Sequence, residues 1–219
     1  LKCAALNLAS LNVTPLVNLT YLDCSSNGDH FTSLIGVSGL LNLTYLSCLQ
    51  NNIAALDVSN LVNLVTLNIS SIDITSLNVS ALSNLRELIF YQTPITTMDL
   101  SNVATNLTRL EYSVVSNYPV NLSTFINLET LNVISPGQTE AAVLPTLMHL
   151  KKLRWIGSPL TSLDLSGCHL LNDIMVGHNT NLVYLNLKTG IPLEEGDISY
   201  NSHLINICAN EDDFTKVLM

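Results

Sequence analysis

The sequence predicts an α/β-type solenoid, mostly β, of about nine to ten short rungs. Three observations carry that expectation. Apolar residues recur at gaps of two and three, which suits neither a helix nor a continuous strand. The whole interval then recurs about every 21 residues, the mark of a stacked repeat. The segments between are short and rich in Ser, Thr and Asn, too short for several helical turns in each repeat.

The unit is visible in the stretch from Asn63 to Leu85. Leu67-Asn68-Ile69 and Leu77-Asn78-Val79 are brief alternations, so each reads as a very short strand, with a turn between them. A strand of that length cannot bury its own apolar side and needs a like neighbour. Take as anchor the apolar residue two after the second leucine of L-x-x-L. The anchors are Cys3, Cys24, Cys48, Ile69, Phe90, Tyr112, Val133, Trp155 and Val176, at spacings of 21, 24, 21, 21, 22, 21, 22 and 21. Ala209, in "LINICAN", reads as a tenth after an interval of 33.

Residues 43–64, "LTYLSCLQNNIAALDVSNLVNL", resemble the leucine-rich repeat family. The segments "LDVS", "LNVS", "MDLS" and "LDLS", from Leu56, Leu77, Met98 and Leu163, are similar to those of secreted repeat proteins of the Bacteroidetes. Listerial internalins are a more distant likeness. The resemblance implies a horseshoe with a parallel sheet on one face and short extended or 3₁₀ segments on the other. It also implies partner binding, and an asparagine three residues after each anchor, stacked into a ladder of amides. Asn27, Asn51 and Asn179 fit; Ile72, Thr93, Val115, Pro136 and Ser158 depart from it. Thr93 and Ser158 retain a hydroxyl for part of that bonding, whereas the other three leave turn groups that need another partner. The segment from Ser135 to Leu150 reads as a loop or short helical turn.

The repeat leaves no linker, so residues 1–219 are expected to form one domain, with a regular array over 1–190 and an irregular last rung and C-terminal cap over 191–219. Cys3 already sits at an anchor, so the chain starts in mid-repeat; a preceding cap and export signal are expected outside this stretch. Apolar residues make up 47% of the chain and charged residues 11%, yet no apolar run reaches the ~18 residues of a membrane span.

Chemistry-bearing motifs are absent from the sequence: it has no phosphate-binding glycine loop, no H-E-x-x-H and no G-x-S-x-G. Five cysteines make an odd number, and Cys3, Cys24 and Cys48 share one inward position on successive rungs. Side chains so placed point the same way, which suits buried thiols and not disulfides. Cys168 and Cys208 stay unassigned. The histidines, at 30, 149, 169, 178 and 203, read as turn residues. "PLEEGD" and "NEDDF" read as solvated acidic loops, without the spacing of a calcium loop. Seven Asn-x-Ser/Thr sequons read as by-products of the repeat. No cofactor, metal or enzymatic activity is expected.

The net charge is −9 with only 8 Lys and Arg, which excludes a phosphate-neutralising nucleic-acid binder. Three of those eight cluster at Lys151, Lys152 and Arg154, a solvated edge or a contact for an acidic partner. Residues flanking each inward leucine must face outward. On that open sheet the expected binding patch is Tyr21, Asp23, Tyr45, Ser47, Glu87, Tyr91 and Glu111, since Tyr offers contact area and a hydroxyl at low entropic cost. The expected function is a monomeric extracellular or cell-surface module binding a protein or glycan; the alternative is a structural spacer within a longer secreted polypeptide.

Overall fold

The computed structural model describes residues 1–114, 120–134 and 147–213. These residues form two compact units, the first of 1–107 with 112–114, the second of 108–111 with 120–134 and 147–213. Val115, Pro136 and the segment 135–146 lie outside the described residues.

In the first unit, β1 (Ser10–Asn12), β2 (Tyr21–Asp23), β3 (Ser33–Ile35), β4 (Tyr45–Ser47), β5 (Thr66–Asn68) and β6 (Glu87–Thr93) are all parallel to their partners. β2, β4, β5 and β6 pair in that order, with Tyr21 opposite Tyr45, Tyr45 opposite Thr66 and Thr66 opposite Glu87. Lys2 bridges to Asp23 as a further rung. β1 and β3 pair with each other in a separate two-stranded sheet. β7 (Arg109–Val114) has residues in both units.

The second unit repeats the plan. β8 (Thr130–Ile134), β9 (Lys152–Ile156), β11 (Asp173–Gly177) and β13 (Glu195–Asp197) form its front. β10 (Ser162–Asp164), β12 (Tyr184–Asn186) and β14 (Asn206–Cys208) form a second parallel sheet. Among the described residues the front strands number nine and no α-helix occurs; the helical pieces are 3₁₀ turns at Val37–Gly39, Leu122–Thr124 and Glu211–Asp213. The chain is thus a mostly-β parallel solenoid, as the repeat predicts.

The anchors are inward. Cys24, Cys48, Ile69, Val133 and Val176 are fully buried, and Phe90, Tyr112 and Trp155 no more than 5% exposed. Phe90 and Tyr112 stack at 5.4 Å. The leucines two residues before Cys24, Cys48, Ile69 and Phe90 are equally buried, at 0% for Leu22, Leu46, Leu67 and Leu88, and each such side chain stabilises by about 1.5–3 kcal/mol. Every cysteine is a free thiol. Cys3, Cys24 and Cys48 aim Sγ at the carbonyl oxygens of Asp23, Ser47 and Asn68 on the next rung. Burial, and then neighbouring Cys3 and Asp23, push the Cys24 thiol up to about 12.

One anchor is corrected. β14 belongs to the rear sheet, so Ala209 is no front anchor. Residue pairing places Asp197 opposite Met175, which makes Ile198 the tenth anchor, 22 residues after Val176. The leucine that marks other rungs is Gly196 here, so the pattern is hidden in "LEEGDISYN".

The amide ladder follows. Asn27 Nδ2 donates to the carbonyls of Cys3 and Cys24, and Asn51 Nδ2 to those of Cys24 and Cys48. Asn51 Oδ1 accepts from Asn27 N–H at 2.9 Å. Asn179 and Asn201 repeat the arrangement in the second unit, Asn201 serving Val176 and Ile198. At Thr93 the hydroxyl donates to Ile69 O at 2.8 Å, replacing one bond of the missing amide. Ser158 Oγ accepts from Leu160 N–H.

Two further ladders explain the recurring Asn and Asp. Asn12, Asp57, Asn78, Asp99, Asn121 and Asp164 each accept from the backbone N–H two residues on. The Ser59 hydroxyl and then its N–H hold the Asp57 carboxyl below its ordinary range, and the N–H and then the hydroxyl of Ser101 and Ser166 do the same for Asp99 and Asp164. Asn42, Asn63, Asn84 and Asn106 each donate to a carbonyl of the preceding rung. His149 and His203 place Nδ1 against the preceding rung's carbonyl in the same way. Most of the sequon asparagines are therefore bonded within the repeat.

The residue two after the anchors Cys24, Cys48, Ile69, Phe90 and Val176 is left-handed: φ is 56° at Ser26 and Gln50, 53° at Ser71, 50° at Gln92 and 57° at His178. A left-handed non-glycine residue costs about 1–2 kcal/mol, against about 0.5–1 kcal/mol of extra chain entropy lost by glycine. Ser71→Gly is therefore expected to stabilise by roughly 0.5–1 kcal/mol, read as a higher urea midpoint at unchanged slope. A lower midpoint would show that the exposed Ser71–Gln92 bond outweighs the relief.

Candidate functional site

Because side chains alternate along a strand, β2, β4, β5 and β6 send one column outward as Tyr21, Tyr45, Thr66 and Glu87. Beside it runs Asp23, Ser47, Asn68 and Ile89. Strands stand about 4.8 Å apart, so Tyr21 to Glu87 spans roughly 14 Å.

Tyr21 and Tyr45 stack face to face, with centroids 4.3 Å apart and planes 7° from parallel. On the preceding rung Lys2 Nζ lies over the Tyr21 ring, 5.7 Å from its centroid. Both faces of Tyr21 are thus taken, and what the pair turns outward is ring edge and hydroxyl. A sugar ring stacking on Tyr21 would have to displace Lys2. Burial, then Tyr21, raises the Tyr45 phenol, with the Ser47 hydroxyl pulling the other way. Lys2 has a readable signal: it precedes the first anchor, in the column of Asp23.

The other expected residues divide. Asp23 is half-buried and uses Oδ1 to accept from Ser25 N–H at 3.1 Å. Ser47 is only 2% exposed and its hydroxyl bonds Ser25 at 2.7 Å, so it supports the face from below. Glu87 and Tyr91 are half-buried on β6, where Tyr91 N–H donates to Ser70 Oγ. Glu111 belongs to the second unit, is 8% exposed, and is held by Arg109 through Nε at 2.6 Å and Nη2 at 2.5 Å.

In the second unit, Lys151 pairs with Glu129 at 2.9 Å and Lys152 with Asp173 at 2.8 Å. The Asp173 hydrogen bond and charge raise the Lys152 ammonium. Pairs this exposed contribute little stability; their effect is to neutralise the basic cluster seen in the sequence. Arg154, half-buried on β9, places Nη1 against the Met175 sulfur at 3.4 Å.

No family model and no curated protein matches this chain. Two of the solved structures to which it is similar are leucine-rich repeat proteins of bacteria. One is the functional domain of InlJ from Listeria monocytogenes, which includes a cysteine ladder: 26% identity, TM-score 0.56, over 96% of this chain and 53% of that one. The other is an LRR protein of Leptospira interrogans: 19% identity, TM-score 0.59, over 91% of this chain and 60% of that one. The chain spans less than two thirds of either, and neither comes from the Bacteroidetes.

Proposed function

We propose that this chain, a leucine-rich repeat protein, is a non-enzymatic interaction module that binds a protein partner through the open face of its parallel sheet. The observation that carries the proposal is the outward column of the first unit, where a stacked Tyr pair adjoins Asp23, Glu87 and Tyr91. Ring edges and phenol hydroxyls supply area and hydrogen bonds, while the carboxylates suit basic side chains of a partner. A protein is favoured over a glycan because the Tyr21 faces are already covered. Cys3, Cys24 and Cys48 on successive rungs form a thiol ladder like the one named for the listerial domain, and its role is to fill the core beneath this face. An extracellular or cell-surface location is part of the same proposal, and antibody labelling of intact cells tests it.

The double variant Tyr45→Ala/Tyr91→Ala, with its fold checked by circular dichroism, is expected to lose affinity at least about tenfold for a partner captured by the wild-type chain, the scale of one or two interface hot spots. Affinity within a factor of two would overturn this face as the site and leave a spacer role.

A further inference from the structure

On the second unit's sheet, residue pairing sets Asn132, Arg154 and Met175 side by side on β8, β9 and β11. Every other basic side chain on or beside this face has a carboxylate: Arg109 has Glu111, Lys151 has Glu129 and Lys152 has Asp173. Arg154 has no ion pair among the described residues. Its one hydrogen bond to a side chain there is to the thioether of Met175, a weak acceptor. Next to it, Asn132 Oδ1 is shut off from solvent and has no donor. A guanidinium with spare donors thus lies beside an amide oxygen that lacks one.

We infer that Arg154 is a receptor for a single carboxylate, supplied by a lone Glu or Asp side chain in an apolar-flanked segment of a protein partner. The guanidinium offers five N–H donors in a planar fork. On binding it leaves the Met175 sulfur, donates one N–H to Asn132 Oδ1, and presents a bidentate edge to the carboxylate. That exchange replaces a weak bond and an unmet acceptor with charge-assisted hydrogen bonds. The frame selects the ligand. Ile134 and Ile156 stand opposite each other one pleat further along, both half-buried, and with Met175 they give apolar contact on two sides. Asp173 on the adjoining strand β11, and Glu195 and Asp197 on β13 one strand beyond it, lie on the same sheet and repel a run of negative charge. A lone carboxylate between apolar side chains meets both conditions; a polyanion or a nucleic-acid backbone does not. The inference rests on the interaction-module reading but uses different residues from the first unit's patch.

The test is a titration of the full chain, labelled with ¹⁵N at arginine, with the blocked tripeptide Ac-Leu-Glu-Leu-NH₂, following the Arg154 Nε–H resonance. A saturable shift is expected for Arg154 and not for Arg86, at least about fivefold weaker with Ac-Leu-Gln-Leu-NH₂ and lost in Arg154→Gln. Arg154→Lys keeps the charge without the fork and is expected to retain only a small part of the affinity. An equal response to the Gln peptide, a response that survives in Arg154→Gln, or inorganic phosphate binding as tightly as the Glu peptide would each overturn the proposal. The Tyr45→Ala/Tyr91→Ala variant is expected to bind the tripeptide normally. Loss of tripeptide response with normal partner capture therefore sinks this site alone, and the reverse result sinks the first unit's patch alone.

Discussion

Asn51→Ala is expected to destabilise the first unit by roughly 2–4 kcal/mol, since each buried polar group stripped of its partner costs about 1–3 kcal/mol. The side chain is 5% exposed and makes three bonds: to the carbonyls of Cys24 and Cys48 and from the N–H of Asn27. The Cys24 carbonyl keeps a donor in Asn27 Nδ2. The bonds to the Cys48 carbonyl and from the Asn27 N–H are lost. Asn51→Thr is expected to fall between wild type and Ala, because Thr93 shows that a hydroxyl at this position restores one bond to the preceding rung. Urea denaturation followed by far-UV circular dichroism measures the series. A loss below about 0.5 kcal/mol, the range of ordinary surface substitutions, would mean that the ladder adds nothing beyond the packing of the rungs.

Trp155→Ala is expected to cost roughly 3–5 kcal/mol, the range for emptying a large aromatic site that cannot collapse. The ring is 5% exposed and occupies a slot that is Val133 on one neighbouring rung and Val176 on the other. A buried indole N–H is expected to find a polar partner or reach the rim. The structure shows neither: Nε1 is buried without a partner among the described residues. Trp155→Phe is therefore expected to lose less than half as much as Ala, since it forfeits volume but no hydrogen bond. A rung contacts only its neighbours, so the Ala variant is expected to unfold in two steps, the second unit first. An unchanged midpoint would place the ring on the surface and refute the register.

The repeat, its length and the inward set were legible because they are written in residue type and interval alone. Any chain with L-x-x-L-x-apolar every 21 to 24 residues must stack its short strands to bury them. The amides of Asn27, Asn51 and Asn179 were legible for the same reason. Where a rung lacked its leucine, at Gly196, the interval failed as a guide and Ile198 became visible only through its pairing with Val176's strand. Which surface residues are open was not legible. Ser47 and Glu87 occupy equivalent outward columns in the sequence pattern, yet Ser47 is closed beneath Tyr45 and bonded to Ser25. The charges behave alike: Lys151, Lys152 and Arg154 are one cluster in the sequence, and only the placement of Glu129 and Asp173 on adjoining rungs separates two neutralised lysines from an arginine without an ion pair among the described residues. Sequence by itself determined the period and the side each residue faces, because burial of apolar area follows composition and alternation. Tertiary structure alone decided which outward groups are covered or paired, because that depends on the side chain one strand away, set by register across some twenty residues of intervening chain.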